Sequence, residues 1–404
     1  MSSADFDVAV VGAGPAGSVT AFAAARRGLR VALVDRATFP RDKTCGDGVG
    51  PGAIEALRRL GLGRVLGDFA PVEQVTIIGP GEEPLRSSIS RGSGHAGYGH
   101  VVPRLELDDR LLTEALNAGA ADFTGTRYRS TTATSDGREL RLRTPSGERT
   151  ISARLVVGAD GAHSQVRRDL LGESPSGDHS YFALRAYADS PDFRPGGAFG
   201  PRLLFQFRWD LLPSYAWLFP LDDGRVNLGV CSPLGAMRTR GDDLKELMGT
   251  FAGELREQGV ELGAVRDRKA HHIPLLGGMP RLAHPRAVLV GDAASMVNPV
   301  SGEGIAHAIC AAEQLVGSLP ADLSEPRLGR ALRGFERGFR RSHRAHFASC
   351  LVSHRLLHSR RWATALLRAA RRDPRMLADG VELLFGFGRI RASTVLRIAR
   401  SGLV

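Results

Sequence analysis

The sequence predicts an α/β plus α+β protein: an α/β domain assembled from separate stretches, an antiparallel sheet inserted into it, and a C-terminal helical region. Three observations lead there. Short apolar runs ending in glycine-rich turns recur at the N-terminus, near residue 155 and near residue 288, as expected of buried parallel strands. Between residues 176 and 267 the texture changes to alternating, aromatic-rich segments. From about residue 318 onward apolar residues sit at helical spacing among many arginines. The division is 1–75, 101–175 and 268–320 for the α/β domain, 76–100 and 176–267 for the inserted sheet, and 321–404 for the helical region.

The first stretch is the most informative. Phe6–Val11 is a short apolar run that reads as a buried strand. Gly12, Gly14 and Gly17 spell G-x-G-x-x-G, and Pro15 stands where a helix tolerates a missing N–H. Ala16 to Arg27 reads as the helix, Gly28 as its C-cap, and Val31–Val34 as a second strand ending in Asp35 and Arg36. Gly12 permits the tight turn, Gly14 lets a pyrophosphate approach the backbone, and Gly17 lets helix and strand pack closely. Asp35, 18 positions after Gly17, sits where an acid binds a ribose hydroxyl. The unit is therefore read as dinucleotide-binding. A signal or membrane segment over Val8 to Ala25 is rejected, because Gly and Pro interrupt it and Asp5 and Asp7 precede it.

The 404 residues are enough for two domains, and 49 glycines imply many turns. Cys45, Cys231, Cys310 and Cys350 form no CxxC pair and no metal-ligand pattern, so reduced thiols in a cytoplasm and no metal are expected. The net charge of +11 is uneven: residues 326–404 carry 18 arginines against four acids, leaving the rest of the chain slightly acidic. That asymmetry disfavours a nucleic-acid binder and fits an anionic membrane surface or an acidic partner.

Further along, residues 37–52 form a loop around Cys45-Gly46-Asp47-Gly48, directly after the first βαβ unit. A thiol there is placed to face a bound ring, or is structural. Ala53 to Leu62 reads as a short helix and 71–100 as strand-like. His95 and His100 read as loop histidines rather than ligands. Leu107, Leu111, Leu112 and Leu116 mark an amphipathic helix, with Arg104 just before it. Residues 127–157 alternate like a hairpin turning at 144–147. Leu155 to Val157 ends in the turn Gly158-Ala-Asp160-Gly161, with a helix starting near Ser164. Arg202–Arg208, Tyr215–Phe219 and Arg225–Cys231 alternate as strands, placing Tyr215, Trp217 and Phe219 on one face. That face is either core or a ligand wall. Val288 to Val290 ends in Gly291-Asp292, and Pro299 to Gly304 leads into a helix at Ile305. The C-terminal helices read equally as a soluble cap or as a basic amphipathic surface for anionic lipid.

Three motifs in fixed order, Gly12-x-Gly14-x-x-Gly17, Gly158-Ala-Asp160-Gly161, and Gly291-Asp292 with Pro299 and Gly302-Glu303-Gly304, resemble the FAD-dependent oxidoreductases of the aromatic-hydroxylase type. The match spans roughly residues 5–320 and implies a Rossmann-type FAD-binding domain. By this resemblance the first motif and Asp35 hold the ADP half, Asp160 and Gly161 lie near the pyrophosphate, Asp292 contacts the ribityl chain, and the loop to Ile305 lies beside the isoalloxazine. Arg104 matches the family arginine that contacts FAD. Phe39-Pro40-Arg41-x-Lys43-x-Cys45-Gly46-Asp47-Gly48 and Tyr215-x-Trp217-x-Phe219-Pro220 resemble the geranylgeranyl reductase family. Asp47, in place of a second glycine, is closer to its menaquinone-reductase branch. The Phe in Tyr-x-Trp-x-Phe-Pro disfavours a halogenase.

The resemblance implies an ene-reductase that saturates carbon–carbon double bonds of a prenyl chain such as a geranylgeranyl lipid or a menaquinone side chain. Such an alkene is poorly electrophilic and needs a general acid nearby. Cys45, or a water held by its loop with Gly46 and Asp47, is the candidate, and Tyr215, Trp217 and Phe219 are expected to line a dry tunnel for substrate. NAD(P)H, or a separate reductase or ferredoxin, is the expected electron donor. A cytoplasmic location, with peripheral attachment to the inner membrane face as an option, is expected, with no nucleic-acid partner. A FAD monooxygenase acting on a natural product by hydroxylation or epoxidation is the rival reading. A flavoprotein that has lost catalysis is a third.

Overall fold

The computed structural model describes residues 4–89, 96–172, 179–385 and 387–390. His95 falls outside them. The first sheet contains the order Ala283–His284, Ala287–Leu289, Gly147–Gly158, Phe6–Val11, Val31–Val34, Ala121–Phe123. Phe6–Val11 pairs in parallel with Val31–Val34 on one side and Gly147–Gly158 on the other. Val8 to Val11 and Val31 to Val34 are buried throughout, which is why these strands read as unbroken apolar runs. The Arg127–Ala133 and Arg138–Thr144 strands extend this sheet as an antiparallel flap.

The helix after the first turn runs Pro15–Ala25 and packs against Arg104–Asn117 and Ile305–Ser318. Arg104 is the first residue of its helix rather than the residue before it, because Pro103 already serves as N-cap. One turn on, Asp108 therefore lies beside it. The short helix spans Pro51–Arg59, starting two residues ahead of the apolar pattern because Pro51 occupies the N-terminal position.

The second sheet has seven strands in the order Arg266–Pro274, Ser180–Asp189, Arg225–Pro233, Ala216–Pro220, Arg202–Gln206, Gln74–Ile78, Leu85–Ser88. Its pairings are antiparallel except one: Gln74–Ile78 runs parallel to Arg202–Gln206, so the sheet is mixed. Its strands also cross the sequence boundaries drawn at 75/76 and 267/268. Alternation alone does not reveal which sheet a strand joins. One face packs on Leu244–Glu257 through Met248, Phe251 and Leu255. The other carries Tyr215, Trp217 and Phe219 in one buried apolar cluster. The C-terminal helices Arg327–Leu357, Arg360–Arg372 and Pro374–Phe385 cover that cluster with Leu357, Leu377, Val381 and Phe385. The Arg-rich region is thus packed onto the inserted sheet. Among the described residues no helix is long and apolar enough to cross a membrane.

Candidate active site

A cavity of about 810 Å³ runs from the C-terminal ends of the parallel strands to the apolar face of the second sheet. Gly12, Gly14, Pro15, Ala16, Asp35, Arg36, Arg104, Asp160, Gly161, Gly291, Asp292, Pro299, Gly302, Glu303, Gly304 and Ile305 line it, together with Cys45, Gly46, Tyr215, Trp217 and Phe219. Gly17 and Asp47 lie behind the wall.

The cradle fits a dinucleotide. Gly12 adopts φ +104°, and a Cβ there would stand 2.2 Å from the Ala159 carbonyl oxygen. A Cβ on Gly17 would stand 1.7 Å from the Gly12 carbonyl oxygen, so helix and strand meet backbone to backbone. At Gly14 the nearest atoms are guanidinium nitrogens, Arg41 Nη2 at 3.7 Å and Arg104 Nη2 at 3.8 Å from an added Cβ. Gly14 caps the helix without a side-chain acceptor, and no acid occupies the first turn. The helix start and two arginines therefore face the same opening, a donor set suited to a pyrophosphate. Asp35 is held rigidly, accepting from Ala13 N at 2.7 Å and Ala37 N at 2.9 Å. A carboxylate has about four lone-pair directions, leaving two for hydroxyl donors. Asp160 and Gly161 border the cavity at the turn after Gly147–Gly158. The Asp160 carboxylate accepts from the Ser164 hydroxyl, Gln165 N (2.7 Å) and Val166 N (3.1 Å), so it caps the Gln165–Leu171 helix and shapes the turn.

Four charged residues of the 41–47 loop tie it to the surrounding elements. Arg41 pairs with Asp108 at 3.0 Å, and Arg104 binds the same carboxylate through two 2.7 Å bonds. Burial pulls the Arg104 guanidinium down, but the Asp108 charge outweighs it and keeps it protonated. Asp42 accepts from buried Arg185 (2.7 and 2.8 Å) and from Lys269 (2.7 Å). Lys43 binds Asp292 at 3.0 Å; burial raises that carboxyl, yet Lys43 holds it below its ordinary value. Asp47 sits at φ +62° with its carboxylate turned away from the cavity.

Burial pushes the Cys45 thiol up, more than neighbouring Arg104 lowers it, so it stays protonated at neutral pH. A Cβ at Gly46 would lie 3.2 Å from both Phe219 and Trp217, so the thiol loop packs directly on the aromatic wall. Phe205 packs behind, tilted on Phe219 at 5.1 Å and edge-on to Phe385 at 5.3 Å between ring centres. The Tyr215 hydroxyl donates to the Ser301 carbonyl, tying this wall to the 299–304 loop. Burial raises the Glu303 carboxyl to about 7. Burial, then the Lys43 charge, lowers His271 to about 4, and its Nε2 is a buried atom with no protein partner at the cavity.

Sequence reasoning did not single out Arg185, Tyr187, Asn227, His271 or Phe385. Asn227 carried a signal, a lone amide within the otherwise apolar run 226–231 of its strand. The partners of Asp42 carried none, being 143 and 227 positions away.

Two sheets meeting at a dinucleotide cradle that opens onto an apolar compartment are the frame of a dinucleotide-dependent enzyme, and similarity to known proteins makes it a FAD-dependent oxidoreductase. A family model described as a FAD binding domain matches residues 5–205. The chain is 38% identical over 307 residues to menaquinone reductase of Mycolicibacterium smegmatis, covering 75% of this chain and 73% of that protein. It is 28% identical over 353 residues to digeranylgeranylglycerophospholipid reductase 2 of Methanopyrus kandleri, covering 80% and 78%. A geranylgeranyl bacteriochlorophyll reductase-like protein of Thermoplasma acidophilum shares the fold, with TM-score 0.75 and 21% identity over 98% of this chain and 95% of that one. The chain belongs to the geranylgeranyl reductase family.

Proposed function

We propose that the protein saturates carbon–carbon double bonds in the prenyl chain of a lipid or quinone. The supporting observation is the adjacency of a protonated, half-buried thiol, Cys45, to the wall of Trp217, Phe219 and Phe205 in the same cavity as the dinucleotide cradle. FAD, when bound and reduced, supplies the electrons. Gly12, Gly14 and Asp35 would hold its ADP half, and Arg41 and Arg104 would face its pyrophosphate. Asp292 and the loop to Ile305 would hold the rest. The aromatic wall excludes water and aligns an extended apolar chain, and the Cys45 thiol holds the proton that the second alkene carbon requires. NAD(P)H, or a separate reductase or ferredoxin, would reduce the protein. Exposed arginines on Arg327–Leu357, including Arg330, Arg333, Arg337 and Arg341, would meet an anionic membrane surface where such lipids reside.

The test is to incubate the FAD-loaded protein, chemically reduced, with a panel of prenyl lipids with and without oxygen and to weigh the products. A gain of two hydrogens per double bond under anaerobic conditions, lost in Cys45→Ala, is expected. A gain of one oxygen atom, only in air, would move the protein to the monooxygenases. Co-sedimentation with anionic liposomes that survives replacement of the exposed arginines would remove the membrane assignment.

A further inference from the structure

Asn227 is fully buried in the strand Arg225–Pro233. Its neighbours Val226, Leu228 and Val230 face the opposite side of the sheet, into the core under Leu244–Glu257. Strand register sets Asn227 in a row between Phe219 on one side and Tyr187 on the other. An amide there is expensive unless every bond is made. Here its Nδ2 donates to the Cys45 carbonyl at 2.8 Å and to Asp47 Oδ2 at 2.7 Å, and its Oδ1 accepts from Trp217 Nε1 at 2.9 Å. One side chain thus joins the thiol loop to the aromatic wall.

Asp47 completes the arrangement from the loop side. Its carboxylate accepts from the Tyr187 hydroxyl at 2.6 Å, from Asn227, and from the Arg104 backbone N–H at 3.3 Å. Its own carbonyl accepts from Val102 N at 2.8 Å. Every partner of the carboxylate is a donor, so the geometry is complementary to the ionised form. A proton on the carboxyl would oppose the amide and backbone N–H donors, and only the Tyr187 hydroxyl could accept it, by turning its own O–H away from the carboxyl. The charged and titratable groups around it are Arg185 and Tyr187 from the strand Ser180–Asp189, Arg104 from its helix, and Cys45 from the loop. Asp42 lies beyond, paired with Arg185. Burial dominates this balance and lifts the Asp47 carboxyl to about 6.

We propose that Asn227 and Tyr187, acting through the Asp47 carboxylate, are positioning residues that hold the Cys45–Gly48 loop against Trp217, and that protonating Asp47 loosens this clamp. The inference concerns how the loop is held and stands whichever substrate the cavity takes. It makes the thiol's placement, and not only its ionisation, dependent on pH in mildly acid conditions.

Hydrogen–deuterium exchange on the full-length, FAD-loaded protein tests it, with rates divided by the intrinsic rate at each pH. In the wild type, protection of the backbone amides of residues 45–48 is expected to fall about tenfold between pH 7.5 and pH 5, while the strand Phe6–Val11 stays protected. In Asn227→Leu and in Tyr187→Phe, protection of the loop is expected to be already low at pH 7.5 and to change little with pH. Trp217 emission in Asn227→Leu should shift as its indole N–H loses its acceptor. Tyr187→Phe keeps the shape of the site and removes one donor, so it reports even where Asn227→Leu fails to fold. Loop protection that is flat with pH in the wild type, or unchanged in Tyr187→Phe with Phe6–Val11 intact, would overturn the proposal.

Discussion

Replacing Gly229 by alanine probes the aromatic wall most directly. Gly229 lies directly across from Trp217 in the antiparallel pair, and the absence of a side chain lets the indole lie flat over the neighbouring strand. A methyl there would stand 2.1 Å from Trp217 Cζ2, 2.3 Å from Cη2 and 2.6 Å from Cε2. Ordinary carbon contact needs about 3.6 Å, so the indole must retreat by roughly 1.5 Å. The indole lines the cavity, so its displacement alters the space open to ligand. Overpacking of this kind costs about 1–3 kcal/mol. The same displacement breaks the Trp217–Asn227 hydrogen bond and leaves a buried acceptor unpaired, about 1–3 kcal/mol more. The two effects share one motion, so about 2–4 kcal/mol in all is expected, a fall in Tm of about 5 °C. Thermal melts, flavin-fluorescence titration and prenyl-lipid turnover make the assay. FAD affinity should hold, because the cradle glycines lie at the far end of the cavity, while turnover of the long-chain substrate should drop at least tenfold. A Tm within about one degree of wild type together with normal turnover would refute the reasoning.

Gly17→Ala should weaken FAD binding by at least about tenfold in the same titration. Its Cβ would stand 1.7 Å from the Gly12 carbonyl and force the helix start away from the pyrophosphate. Arg104→Met should cost about 3 kcal/mol in chemical denaturation, because fully buried Asp108 would keep only Arg41 as a cation. Stability should fall as pH drops from 6.5 towards 4. His271, His346 and His354 are lowered to about 4, chiefly by burial, so across that window the unfolded chain binds their protons and the folded chain does not. Asp47 at about 6 and Glu303 at about 7 act in the opposite sense, taking up protons in the fold first. With His100, His272, His284, His307 and His343 also lowered by burial, the histidines outnumber the raised acids, Asp160 included, so a net loss is expected, readable as a falling Tm below pH 6.5.

The cradle was legible because its requirements are local. A positive φ at Gly12, a missing Cβ at Gly17 and an acid closing Val31–Val34 are each decided within a few residues of backbone. The period of two likewise placed Tyr215, Trp217 and Phe219 on one face before any partner strand was known. Asp42 shows where local reading ends: its loop was evident, but its partners Arg185 and Lys269 come from strands 143 and 227 positions away.

By itself the sequence determined the parallel strands, the glycine cradle, the aromatic stripe and the Arg-rich helices, since each follows from short-range geometry or side-chain periodicity. Only the tertiary structure decided that Gln74–Ile78 joins the second sheet in parallel, that Arg185 and Lys269 hold Asp42, and that Asn227 bonds Cys45, Asp47 and Trp217 at once. A buried polar side chain must find its partner wherever strand register brings one within 3 Å, and register across two sheets is a property of the whole chain.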